Sequence, residues 1–152
     1  MKILWLIIIS SFFAISCNND QQSSKEKETT EARHEHEEGA AKLELNNGAK
    51  WKADNSTNNN IKNLQAIVEK FNVNADKSIN AYHSAGNDLQ AGLDKMISEC
   101  KMKGPDHDTL HKWLEPLISN VATLKKSTNE HEASDVVKEI NEHLNLYAQY
   151  FE

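Results

Sequence analysis

The sequence predicts an all-α domain, an antiparallel four-helix up-down bundle that follows a disordered tether. Three observations lead there. Beyond about residue 56 the apolar side chains recur at the helical period, with no convincing strand. The pattern breaks at Asn72-Val73-Asn74, at Gly104-Pro105-Asp106 and at Ser127-Thr128-Asn129, which are rich in residues that cap or stop helices. The connections so marked are short, and short connections between amphipathic helices favour antiparallel neighbours. The alternative is three helices, with the first two segments merged into one kinked element. His83-Ser84-Ala85-Gly86-Asn87 reads as a soft spot there, which leaves the boundary between those segments open.

The first element, residues 1–16, reads as a secretory signal: Met1-Lys2, an apolar stretch, then small residues. A spanning helix needs about 20 apolar residues, and Asn18-Asn19-Asp20 ends this run early. Ala14-Ile15-Ser16-Cys17 resembles the lipobox of bacterial lipoproteins, in which a small residue precedes the cysteine that takes the lipid. That resemblance implies that Cys17 carries a diacylglycerol thioether and begins the mature chain. It also implies a place in the bacterial cell envelope, lipid-anchored to a membrane, the outer one in a Gram-negative host, with the domain periplasmic or surface-exposed. Acyl chains hold such a protein to a bilayer without a spanning segment.

Residues 17–40 form the expected tether. From Asn18 to Gly39 there is no aromatic and no aliphatic larger than Ala, so burial cannot offset the entropy of ordering the segment. Within it lies Arg33-His34-Glu35-His36-Glu37-Glu38. A solvated charge run is the plain reading; His34 and His36 are also candidates for loose divalent-metal binding. Loss of Lys2 with the signal takes the chain from a net charge of −6 to −7. Such an acidic surface argues against a nucleic-acid partner and against polybasic adhesion to anionic lipid.

Residues 41–55 are a lead-in, with Leu43 and Leu45 alternating, Gly48 breaking the run and Trp51 placed as a lid on the helices. The bundle, residues 56–152, begins near Ser56, where Asp54, Ser56 and Thr57 offer N-cap oxygens. Its first stripe is Ile61, Leu64, Ile67, Val68 and Phe71. The second is Ile79, Tyr82, Leu89, Leu93, Met96, Ile97 and Cys100. Pro105 opens the third helix, whose stripe is Leu110, Leu114, Leu117, Val121 and Leu124; Pro116 inside it removes a backbone donor and should kink it. The fourth carries Val137, Ile140, Leu144, Tyr147 and Phe151. Tyr82, Tyr147 and Tyr150 read as core-edge aromatics whose hydroxyls reach water.

The chemistry-bearing residues gather around the turn between the second and third helices. With Cys17 used by the lipid, Cys100 has no intramolecular disulfide partner. It sits in Cys100-Lys101-Met102-Lys103-Gly104-Pro105-Asp106-His107, with His111 one turn further on. The i, i+4 spacing puts His107 and His111 on one helix face, as a shared metal requires. His107 aligns with Leu114 and Val121, and His111 with Ile118, so both imidazoles are expected to lean toward the core. If the turn brings all four donors together, thiolate and thioether favour Cu(I), while Cys and His favour Zn(II). Asp106 and Asp108 would then orient the imidazoles.

Structural readings compete for each residue. Met102 fills a gap in the core, and Cys100 continues the column of Ile79, Gly86 and Leu93 as a small buried hydrophobe. His143 borders the core, and His83 and His131 take surface or end positions.

Enzyme signatures are absent. There is no Cys-x-x-Cys-His for covalent haem, no phosphate loop, no His-Glu-x-x-His and no serine elbow. Glu139 and Glu142-His143 offer one incomplete arm of a di-iron site. Non-covalent haem between Met102 and a histidine ranks below copper or zinc.

The helical domain with its Cys-Met and His-His hairpin resembles small exported bundles that sequester heavy metals. Two functions follow as expectations. One is a non-enzymatic envelope lipoprotein that buffers copper or zinc, or passes it to metal-transport or other envelope proteins. The other is a structural lipoprotein whose bundle binds another envelope protein.

Overall fold

The computed structural model describes residues 43–152; Cys17, His34 and His36 lie outside them. Within that range the helices are α1 (Asn55–Val73), α2 (Ile79–Glu99), α3 (Pro105–Leu124) and α4 (Glu130–Tyr150). The four-helix antiparallel bundle is the observed fold. Each helix packs on its chain neighbours, α4 returns to α1, and α2 also touches α4 across the core. No described helix is long and apolar enough to cross a membrane.

Local chemistry sets each helix start. Asp54, Ser78 and Asn129 accept hydrogen bonds from the backbone N–H groups of Thr57, Ala81 and Glu132, at 2.7, 3.3 and 2.9 Å. Each satisfies a donor that has no partner inside its helix. Ahead of α3, Gly104 takes φ +67° and Pro105 supplies the first helical residue, a conformation a side chain at 104 would resist. In the lead-in, Asn47 and Gly48 both have positive φ. They form a tight turn closed by two Asn46–Ala49 backbone hydrogen bonds of 2.9 and 3.0 Å.

The core joins the expected stripes. Leu64, Leu93, Val121, Leu124, Ala133 and Ile140 have no exposed surface. Three expectations need correction. Residues 83–87 are unbroken helix, with Ala85 and Gly86 buried. The glycine there serves close approach, since a Cβ on Gly86 would meet Lys125 Cγ at 2.8 Å. Ile97 is 54 % exposed, because Leu93 and Met96 take the inner positions of that turn. The hydroxyl of Tyr147 reaches protein, donating to Asn58 Oδ1 at 2.9 Å. Pro116 lies inside α3, which runs from Pro105 to Leu124.

The largest fully buried side chain, Trp113, lies outside the expected stripe. Its ring contacts His143, Tyr147 and Phe151, at centroid distances of 4.8, 5.1 and 6.4 Å.

Residues 51–54 bind one end of the bundle together. Trp51 N–H donates to the Tyr150 carbonyl at 2.8 Å, Ala53 N–H to that of Glu152 at 2.9 Å, and Glu152 N–H to that of Trp51 at 3.0 Å. Lys52 N–H donates to Asp106 Oδ1 at 2.9 Å. Trp51 packs on the core as expected, and its indole N–H donates to the Glu44 carbonyl at 2.7 Å. Asp54 is the hub. One oxygen accepts from Thr57 N–H and from the Ser56 hydroxyl at 2.9 Å, and the other from Lys101 N–H at 2.7 Å. The start of α1 is thereby fixed to the connection that leaves α2.

Burial pushes the Asp54 carboxyl up, but the hydrogen bonds it accepts outweigh that and bring it from 3.8 to about 2. A carboxyl lowered on folding contributes stability above its unfolded pKa and loses it as pH falls through the folded one. Asp54→Ala should therefore destabilise the chain by at least about 1 kcal/mol at pH 7, the worth of a helix cap. Urea unfolding should show that deficit narrowing between pH 4 and pH 2.

Candidate metal centre

Two of the four candidate donors are brought together. His107 and His111 project from the first two turns of α3, and their Nε2 atoms lie 3.0 Å apart. The rings meet edge to face, with centroids 4.5 Å apart at 68°. As a hydrogen bond this needs one Nε2 to donate and the other to accept. A metal replacing the shared proton would lie between the two nitrogens. Two imidazoles on a tetrahedral metal, at bonds of about 2.0–2.1 Å, hold their nitrogens about 3.3 Å apart. The pair needs a shift of only a few tenths of an ångström to meet that geometry.

The expected inward lean is only partly present. His107 is half-buried and His111 is exposed. The reason is register: Leu110, Trp113, Leu114 and Leu117 fill the core-facing positions of α3 and leave the histidines on its flank.

Cys100 does not complete a set of three with them. It caps the C-terminus of α2, packs against the core, and lies near enough to Tyr147 to oppose ionisation of that phenol. Burial, then Asp54, then Cys100 push the Tyr147 hydroxyl above its ordinary range. Met102, half-buried in the connection, also packs on the core. Among the described residues no three His, Cys, Asp or Glu side chains come together closely enough to hold a metal. Asp106, expected to orient an imidazole, holds the lead-in at Lys52.

The other histidines have structural partners. His83 Nε2 lies 2.9 Å from the Ser127 carbonyl, and His131 pairs with Asp135 at 3.1 Å on the surface. His143 Nε2 lies 2.7 Å from the Trp113 carbonyl, which can only accept, so this nitrogen carries the proton. Pro116 cannot donate to the Lys112 carbonyl, and the acceptor used by His143 is the next one along α3. Sequence spacing shows Pro116 but not that α4 brings a donor to its neighbourhood.

No family model matches the chain, and neither a curated protein nor a solved structure is detectably similar to it.

Burial lowers the pKa of His143 from its ordinary value, against the opposing effect of the Trp113 carbonyl. The unfolded chain therefore takes up this proton first as pH falls. Stability contributed by neutral His143 is full above about pH 6.5 and declines below it. Urea midpoints should drop between pH 7.5 and 5.5, and His143→Gln should show a smaller drop.

Proposed function

We propose that the protein is a lipid-anchored envelope lipoprotein that binds a borderline transition metal, zinc or copper, through His107 and His111, for buffering or transfer. The observation that carries this reading is the pair of Nε2 atoms 3.0 Å apart on the flank of α3. Neutral imidazole is a common ligand for both metals. The lipobox resemblance at Cys17 supports the anchor, as does the apolar stretch before it, too short to span a bilayer comfortably.

The donor chemistry narrows the metal. With no described Cys joining the two histidines in a set of three, the nitrogen pair suits Zn(II) or Cu(II) better than Cu(I), which a thiolate–thioether set would favour. A two-donor clasp on a helix flank leaves coordination positions for further ligands.

The test is metal analysis of the full chain in mild detergent, dialysed against limiting Zn(II) or Cu(II), with a chelator control. The wild type and Cys100→Ser should retain metal, and His107→Ala/His111→Ala should lose it while keeping its helical circular dichroism. Failure of the folded wild type to retain either metal would overturn the reading. Equal retention by the double variant would move the site away from α3.

A further inference from the structure

The histidine pair supplies two ligands where tetrahedral zinc takes four, and no described His, Cys, Asp or Glu completes a set of three. What surrounds the pair indicates where the remainder comes from.

Helical register places the pair at the boundary between α3 and α2. Lys125, just past the end of α3, is the residue a Cβ on Gly86 of α2 would strike. Stepping back about two turns at a time from Lys125 reaches Ile118 and then His111, with His107 one turn below. The four thus share the α2-facing edge of α3. On α2, Ile97 lies about three turns beyond Gly86 and so faces the same boundary.

Ile97 is 54 % exposed and Ile118 38 % exposed. One outer face therefore carries an incomplete metal clasp with an exposed isoleucine on each helix. Asp94 and Glu115, also exposed, lie one turn from Ile97 and His111. Their charge attracts a cation, and opposes contact between two such faces until a cation is bound.

We propose that a second copy of this chain covers this face, and that the two copies share one divalent metal held by both His107/His111 pairs. A two-fold axis through the metal makes the interface self-complementary. Each copy contributes two nitrogens, completing four-coordinate geometry, and the isoleucines are buried around it. This rests on the reading of the histidine pair as a metal clasp.

Sedimentation of the full chain in mild detergent, with Zn(II) or with EDTA, tests it. The expected result is a monomer in EDTA and a dimer in Zn(II), holding one zinc per two chains. His111→Ala should abolish both. Ile97→Glu/Ile118→Glu should abolish the dimer and weaken zinc retention about tenfold or more, with the helical spectrum unchanged. One zinc per monomeric chain would overturn the shared site while leaving the histidine clasp intact. A folded wild-type chain that retains no zinc would overturn both.

Discussion

The Asp54 carboxylate is the point on which the arrangement of this domain depends. Its two oxygens bind the first turn of α1 on one side and the Lys101 N–H just beyond α2 on the other. Lead-in residues before it hydrogen-bond to the end of α4 and, through Asp106, to the start of α3. One short segment thereby fixes a terminus of every helix at the same end of the bundle. Hydrogen bonds to a charged acceptor are stronger than neutral ones, which suits a junction where exposed helix ends would otherwise fray.

That junction also sorts the candidate ligands. Lys101 is held at Asp54, and the neighbouring Cys100 packs against the core. The chain then crosses Met102 and Gly104, and α3 begins with its own register, set by Trp113 and the leucines in the core. His107 and His111 are left on the flank as a pair. Four donors close together in sequence are divided between Cys100 and Met102, which pack against the core, and an outer histidine pair. On the proposed reading this favours reversible, nitrogen-based binding over capture by sulfur.

Much of the fold was legible because period, breaks and caps agreed. Asp54 could be read as an N-cap, and Gly104-Pro105 as a helix boundary. The i, i+4 spacing of His107 and His111 predicted a shared face, and the rings touch. What could not be read were contacts set by neighbouring helices. Nothing local distinguishes Gly86 as a flexible point from Gly86 as a close-packing residue until Lys125 is seen against it. Ile97 and Cys100 both fit a hydrophobic stripe, yet only Cys100 packs against the core. Trp113 was within reach of the sequence, since it lies one turn from both Leu110 and Leu117; its partners His143 and Tyr147 come from α4 and were not.

The most direct measurement of the central claim is X-ray absorption at the zinc edge of the zinc-loaded full chain. The account predicts a first shell of nitrogen or oxygen at about 2.0–2.1 Å with the outer-shell scattering of imidazole, and no sulfur. A sulfur shell at about 2.3 Å would place Cys100 on the metal. It would contradict the separation of thiol and histidine pair described here.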